Sequence, residues 1–250
     1  LEPIPTHFEF DRQLVGHCCT TVWCILYGGS NSLIMNNNLT IFDWDDTLLS
    51  SSYLFRRHRS SNNDPNIPPA VEGLFKMKKK RNLEKLEELA YNCLAYALCQ
   101  GCVIIVTNSE QGWVEKSCQS LLPRVFQLLQ HVPVLSARHW FAHESADPCE
   151  WKRKAFKECT SMAFGEELYS NAILKRVVCV GDSNDERRAA LSLGGPENPG
   201  MIVVTVKMKE NPCIEELNSE LSCLLSVLGD VFMSLSSLDL VYGGHAFFSF

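Results

Sequence analysis

From residue 39 onward the chain alternates between two patterns. Short, nearly unbroken apolar runs rich in Val, Ile and Leu occur at 39–43, 102–107, 132–136, 176–181 and 201–206. Runs of this length predict strands buried on both faces, as in a parallel sheet. Longer segments with apolar residues at helical spacing lie between them. In 82–100, Leu83, Leu86, Ala90, Cys93, Leu94, Ala97 and Leu98 share one face, and Gly101 closes the helix. Residues 113–130 predict a helix broken at Pro123, and 150–169 and 186–193 predict two more. Pro212 starts a further helix that runs to about residue 228. Repeated strand–helix units predict an α/β fold, a Rossmann-like doubly wound parallel sheet of about five strands. Ligands of such sheets bind beyond the carboxyl ends of the strands, where strand order reverses.

The flanks and one insertion depart from this rhythm. Residues 1–38 lack sustained periodicity and predict an extension, packed in part and disordered in part. Residues 50–81 are polar, with Arg56-Arg57-His58-Arg59, a Ser/Asn/Pro tract and a basic run from Lys76 to Arg81. They predict a flap or loop insertion. Residues 230–250 end in aromatics and predict a tail. One domain therefore spans 39–229.

Composition narrows the function classes. With 46% hydrophobic and 21% charged residues, the chain is typical of a soluble globular protein. A net charge of −6 excludes a protein that coats nucleic acid as a whole. Of the 12 cysteines, Cys93, Cys99, Cys102, Cys179 and Cys223 sit inside apolar periodic segments, where cysteine acts as a small hydrophobe. That placement predicts a reducing, intracellular (cytoplasmic) setting. The apolar stretch 14–27 is interrupted by His17, ended by Gly28-Gly29 and too short to span a bilayer. It lacks the charged start of a signal peptide, so no membrane partner is expected.

The candidate chemistry lies at strand ends. The first run stops at Asp43-Trp44-Asp45-Asp46-Thr47. Buried carboxylates are costly, so three acids in four positions call for a cation or a reaction. If the extended backbone persists, Asp43 and Asp45 point the same way. The bland alternative is a solvated turn with Asp46 as a helix cap. The second run ends in Thr107-Asn108-Ser109, donors suited to a phosphate oxygen or, equally, to a cap. Lys152 opens a helix in Trp151-Lys152-Arg153-Lys154, which taken alone reads as a solvated basic face. The fourth run ends in Gly181-Asp182-Ser183-Asn184-Asp185-Glu186, oxygen donors of the kind Mg²⁺ takes or an acidic first helical turn.

Taken in order, these four segments resemble the haloacid dehalogenase-like (HAD) hydrolase superfamily. The resemblance covers about residues 39–206, and its first motif, DxDx[TV], is matched by Asp43-Trp44-Asp45-Asp46-Thr47. It implies a phosphatase, because the acid at Asp45 is the one that dehalogenases of the family lack. It implies that Asp43 is the nucleophile of an aspartyl-phosphate intermediate and Asp45 the general acid and base. Thr107 and Asn108 would hold the phosphoryl group, and Lys152, or Lys154 in its place, would bridge Asp43 and phosphate. Mg²⁺ would be bound by Asp43, the backbone carbonyl of Asp45 and Asp182, with Glu186 or Asp185 assisting. Sparse apolar content in 50–81 implies little or no cap domain, and hence an open site for a phosphorylated small molecule or protein. The alternatives are an inactive HAD-fold binding or regulatory domain and a phosphotransferase.

Overall fold

A computed structural model describes residues 37–56, 69–165, 174–195, 198 and 200–249. The elements are β1 (Asn38–Phe42), α1 (Ser51–Arg56), α2 (Pro69–Gln100), β2 (Cys102–Thr107), α3 (Trp113–Leu121) and α4 (Pro123–Leu128). A 3₁₀ turn (Leu129–His131) leads to β3 (Val134–Ser136), α5 (Ala137–Phe141), α6 (Pro148–Phe164) and β4 (Lys175–Gly181). The chain continues through α7 (Asn184–Leu191), β5 (Met201–Lys207), α8 (Ile214–Met233), β6 (Leu238–Tyr242) and β7 (Phe247–Ser249). The strands form one sheet in the order β3-β2-β1-β4-β5-β6-β7, parallel except for the antiparallel β6–β7 pair. The α/β class and the largely parallel sheet match the expectation. The sheet has seven strands, not about five. The two extra strands come from residues expected to be a tail.

Strand periodicity sorts the core into two layers. Phe42, Val103, Ile105, Val178 and Val180 face α2, α3, α4 and α8, where Leu86, Leu94, Val114, Val125, Leu221 and Leu228 are buried. Leu39, Ile41, Ile104, Val106, Val177 and Cys179 face α6 and α7, against Ala155, Phe156, Cys159, Ala189 and Ala190. Each strand residue thus goes to the face opposite its neighbour's, as a doubly wound sheet requires.

Three local expectations need revision. The polar stretch 50–81 is not a loop where it is described, since α1 occupies its start and α2 extends back to Pro69. Lys and Arg are good helix formers, so an exposed basic run continues a helix without any apolar periodicity. Pro123 does more than kink a helix. It opens α4 at its first turn, after Leu122 has left helical geometry. The helix expected over 150–169 begins at Pro148, with Asp147 accepting from the Cys149 N–H at 3.0 Å as its N-cap. Residues 1–36 lie outside the described residues, and so does the basic Arg57-His58-Arg59 stretch.

The described cysteines form no disulfide with one another, and this includes Cys99 and Cys102, which have CxxC spacing. Among the described residues no helix is long and apolar enough to cross a membrane.

One buried acid far from the strand ends makes a prediction. Glu220 on α8 is fully buried, accepts the Lys209 backbone N–H at 2.9 Å and leaves Oε1 without a partner. Burial pushes its carboxyl up to about 7. Between pH 4.5 and 7 the folded chain keeps this proton while the unfolded chain releases it, so the Glu220 contribution to stability falls as pH rises. Glu220→Gln keeps an acceptor for Lys209 and removes the titration. The variant should be more stable than the parent at pH 8, by on the order of 2 kcal/mol, and should lose that advantage near pH 4.5. Urea unfolding across this pH range measures the difference.

Candidate active site

Strand order brings the chemistry together. β1 lies between β2 and β4, with Phe42 opposite both Ile105 and Val180. The residues that follow these three strands therefore share one edge of the sheet. The Asp43 N–H donates to the Val180 carbonyl at 2.9 Å, extending the ladder by one residue. Asp43 follows the parity of Leu39 and Ile41, so it emerges on the face covered by α6.

Lys152 on α6 meets it there. Its side chain shares the buried face of α6 with Ala155, Phe156 and Cys159. Its ammonium donates to Asp43 Oδ1, to the Val106 carbonyl at 2.7 Å and to Glu186, whose Oε1 is 3.1 Å away. Three protons meet three acceptors, so the buried cation is fully satisfied. Lys154, the alternative, pairs with Glu144 near the surface. The geometry therefore favours Lys152 as the site lysine.

The loop after Asp43 is wound around Trp44. Its buried indole donates to Ser117 Oγ at 3.0 Å, and its carbonyl accepts from Leu48 and Leu49 at 3.0 and 3.1 Å. Asp46 turns the chain with φ of 56°, a left-handed geometry that Asp tolerates better than most residues. Its carboxylate then accepts the Ser52 N–H at 2.9 Å, at the start of α1. The extended backbone therefore gives way to a turn, and the Asp45 carboxylate is held by donors from the end of β2 and the start of α3. Its Oδ2 accepts from Ser109 Oγ at 2.7 Å and from Thr107 Oγ1 at 3.4 Å, and its Oδ1 accepts from the Trp113 indole at 2.9 Å.

Thr107 is buried, and its hydroxyl also accepts the Ser109 N–H at 2.9 Å. The Asn108 side-chain amide donates to the Pro148 carbonyl at 3.4 Å, toward the start of α6. Glu186 lies within the site, but both its oxygens are engaged. Lys152 takes one, and Ser183 holds the other through its N–H (2.9 Å) and its hydroxyl in a capping box. Asp185 instead pairs with Arg188 at 3.0 Å. Glu186 is thus committed to Lys152 and Ser183, and Asp185 to Arg188 through Oδ1. Gly181 is required by Glu186, because a Cβ there would lie 2.7 Å from Glu186 Cγ.

Asp43 and Glu186 contact the Lys152 ammonium, Asp182 lies near enough to feel its charge, and Asp45 lies near enough to act on Asp43. Burial pushes Asp43 up to about 7 against the pull of Lys152, with Glu186 and Asp45 adding to the rise. Burial pushes Asp182 up to about 8, helped by Asp43, Glu186 and Asp46. Burial also acts to raise Glu186, but Lys152 and Ser183 outweigh it and hold it below the usual carboxylate range. Burial would lower Lys152, but Asp43 and Glu186 outweigh it and raise it. Asp43 and Asp182 are thus the under-compensated pair, an oxygen-only set that suits a hard cation holding several waters. Among the described residues no three His, Cys, Asp or Glu side chains form a metal cage by themselves.

Four contacts were not visible in the sequence pattern: Trp113 and Ser109 on Asp45, Ser183 on Glu186, and Lys207. The Lys207 ammonium donates to the Asp182 carbonyl and, at 2.9 Å, to the Met208 carbonyl. Ser109 is legible as a strand-end donor, but its partner Asp45 is not. Nothing in the local pattern marks an indole or a strand-end lysine as part of a site.

No family model matches the chain, and neither does any curated protein or solved structure.

Proposed function

We propose that the chain is a Mg²⁺-dependent phosphomonoester hydrolase of the HAD type, working through an aspartyl-phosphate. The observation that carries this reading is the buried Asp43–Lys152 pair at the end of β1, flanked by Thr107 from β2 and Asp182 from β4. A structural ion pair needs no hydroxyl and no second and third acid at the same sheet edge, whereas phosphoryl transfer uses all of them.

Lys152 holds Oδ1 of Asp43, so Oδ2 is the attacking atom. It forms a bond to phosphorus as the bond to the leaving oxygen breaks. Asp45 gives that oxygen a proton, then takes one from the water that attacks the aspartyl-phosphate and frees Asp43. The Lys152 ammonium and the Thr107 hydroxyl face charge that builds on the phosphoryl oxygens. Glu186 orients Lys152 in place of binding metal. Asp43, Asp182 and the Asp45 carbonyl would hold Mg²⁺, which would supply positive charge to offset that of the phosphoryl group.

Residues 108–147, between β2 and α6, form α3, α4, β3 and α5, all packed on the sheet, with no separate cap. This supports an open site and a phosphorylated substrate that extends beyond it, such as a phosphoprotein. The purified chain should release phosphate from p-nitrophenyl phosphate with Mg²⁺, stop on chelation and resume when Mg²⁺ is restored. No turnover on a broad phosphoester panel across a series of divalent metals would leave an inactive binding domain as the better reading.

A further inference from the structure

Asp45 is the acid and base in this reading, yet its two oxygens have unequal company. Among the described residues, Oδ1 accepts from the Trp113 indole N–H alone, at 2.9 Å. Oδ2 accepts from two hydroxyls, Ser109 at 2.7 Å and Thr107 at 3.4 Å. An indole N–H donates and never accepts, whereas a hydroxyl does both. A proton on Oδ1 would face the indole hydrogen and cost the carboxyl its partner. A proton on Oδ2 has a hydroxyl oxygen to meet.

The indole is also fixed to the loop it serves. Ser117 Oγ accepts from the Trp44 indole at 3.0 Å and donates to the Trp113 carbonyl at 2.7 Å. Trp113 therefore shares a hydrogen-bonded link with the residue next to Asp43. The Phe55 ring meets the Trp113 ring edge-on at 5.2 Å. Ser109 is held as well, since its carbonyl accepts from Ser136 Oγ at 2.6 Å.

We infer that Trp113 is a positioning residue that directs the catalytic proton of Asp45 to Oδ2, the oxygen facing Ser109 and Thr107. The inference rests on the phosphatase reading. In the first half-reaction the proton leaves Oδ2 for the leaving oxygen as the P–O bond breaks, and the electron pair of that bond stays with the leaving oxygen. The resulting carboxylate keeps the Trp113 and Ser109 donors. In the second half-reaction Oδ2 takes the proton of the attacking water.

The test uses the full chain with Mg²⁺ and reads kcat/KM, which reports phosphoryl transfer to Asp43. Trp113→Phe keeps a smaller aromatic ring beside Phe55 and removes the N–H. On glycerol phosphate, whose poor leaving group needs the proton, kcat/KM should fall about 10- to 100-fold, and on p-nitrophenyl phosphate about threefold or less. Ser109→Ala should show the same selective loss. The Trp113 indole N–H resonance should shift in Asp45→Ala, whether or not any ester turns over. Equal losses on the two esters in an active enzyme, or an unmoved indole resonance, would overturn this inference and leave the phosphatase reading standing. A wild-type chain inactive on both esters, with the indole resonance still moved by Asp45→Ala, would overturn the phosphatase reading and the inference with it.

Discussion

Asp43→Asn should lower kcat on p-nitrophenyl phosphate by about 10³-fold or more. The amide matches the carboxylate in shape and can still accept from Lys152, so the fold should survive while the nucleophile is lost. Phosphate release measures the loss, and mass spectrometry of quenched enzyme should find a phosphoryl adduct in the parent and none in the variant. Turnover at the parental rate would remove Asp43 from the mechanism. Asp43 lies one residue past the ladder on the α6 face, with its Oδ1 already held. Among the described residues Asp43 is the carboxylate that pairs with the lysine from a strand end, so the phosphoryl adduct should map to it.

The second large effect concerns the fold itself. Lys152→Met keeps much of the volume and apolar stem but leaves Asp43 and Glu186 facing each other without a cation. Removing one member of a buried ion pair costs about 3–5 kcal/mol, so the denaturation midpoint should fall sharply. The deficit should widen as pH rises. At low pH both acids can take protons and the missing cation matters less, whereas at high pH both must carry charge. Urea unfolding of the two proteins at pH 5 and pH 8 measures this. A variant as stable as the parent at pH 8 would show that the pair adds nothing to the fold. Phosphatase activity should also vanish, because Oδ1 of Asp43 is then unheld.

The elements that were legible in the sequence share a physical cause. β1, β2, β4 and β5 are buried on both faces, so they appear as continuous apolar runs. Their ends then single out Asp43, Thr107 and Asp182 by position alone. Lys152 was legible only as part of an ordered set, because a lysine among Trp151, Arg153 and Lys154 has no local mark of burial. β6 was missed because its residues are only half-buried and Asp239 interrupts the run, its carboxylate paired with Arg187 and Thr205. The early start of α2 was missed because an exposed basic helix carries no apolar stripe. The left-handed turn at Asp46 is a backbone event that three consecutive polar letters do not reveal. The roles of Trp113 and Ser109 depend on which loops the strand order brings side by side, and no local window contains that.

Strand length at the margins of the sheet has a separate consequence. Among the described residues both outermost strands, β3 and β7, are three residues long. Each presents only a brief row of open backbone donors and acceptors, too little to template the addition of a foreign strand. A sheet this apolar in its centre is thereby shielded from edge-to-edge aggregation at its flanks.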